Sequence, residues 1–521
     1  NAAGPYVNVL LKPEAVVENV SREVIKQGSN FGKHESSHES PVVIEYANPN
    51  THKEIHLGHL RNFLTGRAFV SVLEAAGKQV IPVSYVNDQG ANVAKTLWWM
   101  IEKEGFKVES FSEADRMELI RRYDLRKRSG RELGKMYTEA TKTEEEQPEV
   151  AHKISFVQTK LEEHDPVFTG LWQETRNWCL AELSSIFLDL GINRRRPKSR
   201  EKEEYPYYLE SSVIDQAQKI VNELETEGIA RKSEGALIVD LEEKKLGVML
   251  IRKSDGNLLY ASKDLALAEQ KVIDYPDCKT FYSVVDVRQS LYFKQLSEVL
   301  KRLGYSQRFD ALTYELLTLP EGAMSSRKGN IVTYQDLIED IFVYAVKEIK
   351  LRHPEWEENK VNKTAKDLAL SGITFSVLKQ DPDKILVFDK QQALSFEGAT
   401  GPYCQYAVTR LNSVLEKDKQ GISLEEREEE PKIVEQAQKA LVLMMAQLPE
   451  KVALAAKELR PSIVAQWCLT MAQAVSAFYR DVPILSTKGE VREKRLKLVE
   501  AAKIALSNGL MILGISAPEE M

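Results

Sequence analysis

Val42-Val43-Ile44-Glu45-Tyr46, then Ala47-Asn48-Pro49-Asn50-Thr51-His52-Lys53-Glu54-Ile55, then His56-Leu57-Gly58-His59: the reading of this stretch decides the fold. Its first five residues, opened by Pro41, are a near-continuous β-branched run of the kind expected for a strand buried in a parallel sheet. From about His59 the spacing predicts a helix, with Leu60, Phe63, Leu64, Ala68 and Val72 on one face and Gly77 at a C-terminal cap. Val80 to Val86 reads as the next strand. Strand, helix and strand in this order make a right-handed crossover of an α/β doubly wound, Rossmann-like sheet, whose ligands sit outside the carboxyl ends of the strands. The two histidines fall at that edge.

His56 and His59 stand one turn apart at a helix start, and Gly58 lets another group approach the backbone closely. A helix N-terminus offers free N–H groups and partial positive charge. Imidazoles there can donate hydrogen bonds to charge that develops on a phosphate under attack. By itself H-x-G-H also fits packing, and a metal would need a third ligand that the local sequence does not supply. A second element is Ala323-Met324-Ser325-Ser326-Arg327-Lys328-Gly329-Asn330, a small-residue loop with two cations after the last predicted strand. Placed there, it can close over a triphosphate; alone, it reads as a basic surface loop.

Working outward, 521 residues with 43% hydrophobic and 29% charged side chains are enough for two or three soluble domains. A net charge of -7 means that any nucleic acid is held by local basic patches rather than bulk charge. Cys179, Cys278, Cys404 and Cys468 are scattered, which argues against a disulfide framework or a cysteine zinc site. No apolar run is long enough to span a bilayer, so no membrane partner is expected. The reading is a cytoplasmic protein; because the chain opens with Asn rather than Met, a missing targeting segment and a mitochondrial matrix location stay open.

Residues 1 to 40 read as a remnant, with a strand near Tyr6 to Leu11, followed by a polar linker. Residues 41 to 385 read as the α/β domain, interrupted from about 97 to 206 by a charged helical insertion. Its second half is predicted from strands at Ala236 to Leu241 and Gly247 to Arg252, a turn at Ser254 to Asn257 and a helix from Ser262. A strand at Thr280 to Val285, a helix to about Leu303 and a strand at Leu312 to Leu319 complete it. Residues 386 to 521 read as a separate all-α domain.

The His motif and the distant loop flank a split α/β domain in the order and places found in class I aminoacyl-tRNA synthetases. Within that class, Glu45-Tyr46-Ala47-Asn48-Pro49-Asn50 through Lys53, His56 and His59 to Leu60-Arg61 resembles the arginyl-tRNA synthetases. So do Leu259-Tyr260-x-x-x-Asp264, Leu394 to Tyr403 with Gln405-Tyr406-Ala407, and Gly509-Leu510-x-x-Leu513-Gly514-Ile515-x-Ala517-Pro518-Glu519-x-Met521. The resemblance covers roughly residues 41 to 521. It implies a catalytic domain of the HIGH nucleotide-binding type, an all-helical anticodon-binding domain of the DALR type, and an N-terminal remnant of a tRNA-contacting domain. It also implies ATP as substrate with Mg2+, and L-arginine and tRNA-Arg as partners; a monomer without a protein-bound metal is the accompanying expectation.

Matched position by position, the resemblance gives His56, Gly58, His59, Met324, Ser325 and Ser326 to ATP. Tyr260, Asp264 and Glu210 go to the guanidinium, Asn50 and Glu45 to the α-amino end, and Gln289 to the pocket wall. Carboxylates in fixed positions suit a planar, five-donor guanidinium and disfavour lysine. Each of these residues also has an ordinary structural reading: Asp264 as an early-turn helix acid, Tyr260 as a strand aromatic, Glu210 as a surface acid, Asn50 as a turn residue. The chain departs from the class in its second loop, where Ala323 and Ser326 replace the usual lysines. The resemblance to arginyl enzymes with such a loop implies that a lysine just ahead of the His motif substitutes, so Lys53, three residues ahead of His56, is expected to be the principal phosphate cation, assisted by Arg327 or Lys328.

The expected activity is arginine–tRNA ligation through arginyl-adenylate. Three rivals stay open: a class I synthetase for another amino acid, a small-molecule adenylyltransferase with the same His motif, and a non-catalytic tRNA-binding relative.

Overall fold

The structure is a computed structural model that describes residues 2–3, 6–7, 12–125, 129–254, 256–320, 322, 332–425 and 429–521. Its centre is an all-parallel sheet of β1 (Val42–Glu45), β2 (Val80–Val83), β3 (Thr280–Asp286) and β4 (Arg308–Tyr314), in spatial order β4-β3-β1-β2. Glu45 stands opposite Val83 on one side and Ser283 on the other. Helix α1 (Leu57–Ala75) crosses from β1 to β2, α2 (Tyr260–Asp274) leads into β3, and α3 (Ser290–Arg302) joins β3 to β4. The chain leaves β1 toward β2 and later returns to the other side of β1 as β3. The strand order reverses there, which opens a crevice at the carboxyl ends of β1 and β3.

Two predicted strands are shorter than the sequence implies. Val80 to Val86 divides at Ser84, whose buried hydroxyl donates to the Ala47 carbonyl, and Tyr85–Val86 leaves the sheet to pair with Tyr208–Leu209. Leu312 to Leu319 divides likewise, because Leu317–Thr318 pairs with Leu386–Val387 beyond the end of β4. The strand signals near residues 236 and 248 belong to a separate antiparallel sheet of Arg231–Ser233, Ala236–Asp240 and Val248–Arg252.

The insertion begins at Ala91, ahead of Leu97, and runs through helices to Asp189 around its own core of Leu97, Leu119, Leu133 and Leu171. Helices also occupy Tyr334–Arg352 and Glu358–Leu378, before the all-α segment that starts at Gly401. Residues 13–27, read from sequence as part of a remnant and linker, form a helix instead. Val16, Val17, Val20, Val24 and Ile25 recur at helical spacing and pack against the C-terminal helices, and Asn508 Nδ2 donates to the carbonyls of Gly28 and Phe31 at 2.8 and 2.9 Å.

A buried arginine joins the α/β and C-terminal helical parts. Arg67 of α1 donates to the Leu513 carbonyl at 2.7 Å, and a Cβ on Gly514 would come within 2.4 Å of its guanidinium carbon. Among the described residues no helix is long and apolar enough to cross a membrane.

Candidate active site

His56 is the N-cap of α1, and the two histidines form a reciprocal cap. His56 Nδ1 accepts from Gly58 N at 3.1 Å, and His59 Nδ1 accepts from His56 N at 3.2 Å. Since Nδ1 of each ring accepts a backbone N–H, a neutral imidazole here must carry its proton on Nε2. Both rings stay neutral at physiological pH. Burial, with Lys53 as a lesser cause, pushes His56 down to about 4, and burial, then His56 and Lys53, hold His59 well below the ordinary range. The rings lie 3.9 Å apart between centroids and line an open cleft of about 1120 Å³ at the β1/β3 crevice. Capping thus consumes the acceptor nitrogens and leaves two Nε2–H donors at the N-terminus of α1.

Asn62, one turn along α1, holds the crevice edges together. Its side chain accepts from Ala47 N at 2.7 Å and donates to the Val284 carbonyl at 2.7 Å, linking the end of β1 to β3. Gly66 lets α1 approach β1 so closely that a Cβ would lie 2.3 Å from the Tyr46 ring. Arg61, part of the motif after His59, points away from chemistry in part: it donates to the carbonyls of Val377, Pro382 and Lys384 and anchors that turn.

The same cleft is also lined by acidic residues. Glu45, Asn50, Tyr260, Asp264 and Gln289, five of the six residues expected at an arginine, line it. Tyr260 opens α2 and is 68% exposed toward the cleft, and Asp264 follows one turn later. Tyr292 of α3 donates its hydroxyl to Asp264. Burial, reinforced by Glu45 and Glu210 and opposed by Tyr292 and Lys271, raises the Asp264 carboxyl to about 7. Asn50 is fixed by the pairing of its loop with Asn87, where Thr51 N donates to the Asn87 carbonyl at 2.8 Å. Gln289 is exposed at the N-cap of α3.

Two expected residues sit elsewhere. Glu210 is buried behind the wall, where Lys263 is its ion-pair partner, and it does not line the cleft. Lys53 lies over the ring of Tyr137 in the insertion, with Nζ 4.8 Å from the centroid. It lines a small separate cavity with Glu54, Arg131 and Glu182. Met324, Ser325, Ser326, Arg327 and Lys328 lie outside the described residues.

Sequence reasoning missed Tyr292, Lys263, Lys271 and Tyr85. Lys271 donates to Glu45 Oε2 at 2.5 Å, and Tyr85 faces Asp264, Glu210 and Glu45, which push its hydroxyl further up than burial alone. Lys271 carried a signal of sorts, being two turns on from Asp264 in α2, whereas Lys263, its immediate neighbour in sequence, points off that face.

Comparison with known proteins shows the family of the chain that carries this cleft. The family model for tRNA synthetases class I (R), catalytic domain, matches residues 20–389, and that for the DALR anticodon binding domain matches residues 404–521. The arginine–tRNA ligase of Bdellovibrio bacteriovorus is 33% identical over 531 residues, covering 100% of this chain and 86% of its own. That of Enterococcus faecalis is 32% identical over 520 residues, covering 99% and 86%. Among solved structures, Thermus thermophilus arginyl-tRNA synthetase superposes with a TM-score of 0.75 at 26% identity, covering 100% of this chain and 88% of that one. The Plasmodium falciparum arginyl-tRNA synthetase shares the fold, with a TM-score of 0.73 at 18% identity, covering 99% and 84%. On these matches and on its site, the chain belongs to the arginyl family of class I tRNA synthetases.

Proposed function

We propose that this chain, as an arginine–tRNA ligase, forms arginyl-adenylate in the crevice between β1 and β3 and passes the arginyl group to tRNA-Arg. One observation carries the assignment of roles: the neutral His56–His59 pair and the Asp264 carboxyl line one and the same cleft. ATP, entering as its magnesium complex, lies with its phosphates toward the N-terminus of α1. L-Arginine places its guanidinium against Asp264 and Tyr260 and its α-amino group toward Asn50 and Glu45, with Gln289 at the wall.

The arginine carboxylate oxygen attacks the α-phosphorus in line, the bond to pyrophosphate breaks, and charge developing on the phosphoryl oxygens is met by the two Nε2–H groups and the helix N-terminus. A ribose hydroxyl of the terminal adenosine of tRNA then attacks the arginyl carbonyl and AMP leaves. No covalent enzyme intermediate is required.

Lys53 is assigned to the phosphates, assisted by Arg327 or Lys328, with Met324, Ser325 and Ser326 closing over the nucleotide. Its present perch on Tyr137 requires a side-chain swing before it can act. Glu210, expected at the guanidinium, is held by Lys263 off the cleft and supports the pocket from behind without contacting the substrate. Residues 41–385 form the catalytic unit with its insertion, and residues 386–521 read the anticodon, as a monomer. In the latter Arg410 stacks on Tyr406 at 4.4 Å and on Tyr479 at 5.2 Å, a cationic aromatic surface of the kind on which splayed bases stack.

ATP–pyrophosphate exchange with a panel of amino acids, with and without tRNA, tests the proposal. Exchange with arginine alone, dependent on tRNA, is expected. Exchange with another amino acid would reassign the pocket, and none with any would assign a non-catalytic tRNA-binding relative.

A further inference from the structure

Behind the acidic wall, carboxylates and cations are matched with one exception. Glu45, at the end of β1, has both oxygens engaged: Oε1 accepts from Asn48 Nδ2 at 2.7 Å and Oε2 from Lys271 Nζ at 2.5 Å. Glu210 is buried against Lys263. Asp88, fully buried beside Glu210, is paired with Arg176 at 3.4 Å and accepts from Ser211 N and Oγ at 2.9 and 2.7 Å. Asp264 lies among these groups with the Tyr292 hydroxyl as its donor, and among the described residues it has no ion-pair partner. Tyr85 and Tyr292, the neutral groups facing the cluster, add no charge at physiological pH.

Four carboxylates therefore meet three cations, and the surplus negative charge stands on the one carboxylate that opens into the cleft without a cation. Burying an unmatched charge is costly unless a ligand supplies the opposite one.

We infer that Lys263 and Lys271 are specificity-determining residues: by neutralising Glu210 and Glu45 they leave Asp264 as the single open carboxylate and set the pocket to take a ligand of net charge +1. Arginine, with its guanidinium, ammonium and carboxylate, has that charge. Citrulline, its neutral urea isostere, is one charge short, and agmatine, which lacks the carboxylate, is one in excess. Lysine is not separated by charge count; the planar fork and Tyr260 do that. The inference rests on the proposed arginine pocket, and the experiment separates the two.

The test uses the full chain with tRNA and measures the arginine KM and the agmatine inhibition constant in aminoacylation from pH 6.5 to 8.5. Lys263→Met removes the cation from Glu210. The ratio of the two constants is expected to shift toward agmatine by on the order of tenfold, the factor one unmatched charge gives across roughly 12 Å at an effective dielectric near 20. The shift grows with pH as the freed Glu210 ionises. Lys263→Arg keeps the ratio of the unmodified chain. Lys263→Met with Glu210→Gln brings the ratio back, because the charge count returns to its original value.

A packing role for Lys263 would instead weaken both ligands together and would not be rescued by Glu210→Gln. That result, or an unchanged ratio across the pH range, overturns the inference. Asp264→Asn serves as the control on the pocket. If it leaves the arginine KM unchanged, the arginine pocket itself is misplaced; if it raises KM while Lys263→Met leaves the ratio alone, the charge-setting role falls and the pocket stands.

Discussion

Asp264 gives the sharpest consequence of the site, a pH dependence of arginine recognition set by one carboxyl. Its carboxyl is raised to about 7, first by burial and then by Glu45 and Glu210, while Tyr292 and Lys271 pull the other way. A guanidinium binds the ionised form. Arginine affinity should therefore be full above pH 8 and be lost as pH falls through 7, weakening about tenfold by pH 6, since each pH unit below the pKa removes a factor of ten in the binding form. The assay is the arginine KM in aminoacylation from pH 6 to 8, with ATP and tRNA saturating. Asp264→Asn should have a raised KM that is flat over this range. A KM in the unmodified chain that does not change between pH 6 and 8 would refute the reasoning.

The same shift has an opposite effect on stability. In the unfolded chain an aspartate titrates near 4, so the folded protein binds this proton more tightly than the unfolded one. The stability that Asp264 contributes is fully present below about pH 4 and is lost as pH rises through 7. Asp264→Asn should then raise Tm at pH 8 and raise it less at pH 5, a stabilisation obtained at the expense of binding.

Further outcomes follow from the other elements. His59→Ala should slow adenylate formation by roughly 10²–10³-fold through loss of a donor to the phosphoryl charge. Because His56 is held near 4 and His59 lower, the rate at saturating arginine should show no histidine titration between pH 6 and 8; an inflection near 6.5 abolished by His56→Asn would contradict the neutral assignment. Lys53→Ala should slow single-turnover adenylate formation by about tenfold or more, and equal rates would remove Lys53 from the phosphates. Gly66→Ala forces a Cβ to 2.3 Å from the Tyr46 ring and should cost about 1–3 kcal/mol, read as a lowered Tm; an unchanged Tm would mean that α1 and β1 separate freely.

The crossover from β1 through α1 to β2 was legible because its cues are local: a β-branched run, a helical apolar stripe and His56 at the junction lie within one stretch of chain. The charge matching of the pocket was not. Lys271 and Glu45 are 226 positions apart and meet only because β3 inserts beside β1, a pairing that no local pattern reports. Glu210 was visible as a carboxylate but its cation was not, so contact with substrate was expected where the structure places an ion pair. The helix Pro13–Gln27 was overlooked for a related reason. Its apolar stripe is short and is stabilised mainly by packing on helices some 400 or more residues later, so local periodicity alone read as a remnant.

The reciprocal cap bears out the structural reading of the His motif and is compatible with the chemical one proposed for it. Had either imidazole pointed Nδ1 at a ligand, the helix would have lost its cap and the proton could have sat on either nitrogen. Capping fixes the tautomer, burial removes the charge, and what remains are two donors with no net charge. That neutrality matters to the rest of the cleft lining. A protonated histidine pair in the same cleft would add positive charge near the open Asp264 carboxyl and, on the proposed roles, would compete with the guanidinium for it. Neutral donors can stabilise phosphoryl charge without spoiling the recognition of a cationic amino acid, so on the proposed roles the cap is also what would let both halves of the reaction share one cleft.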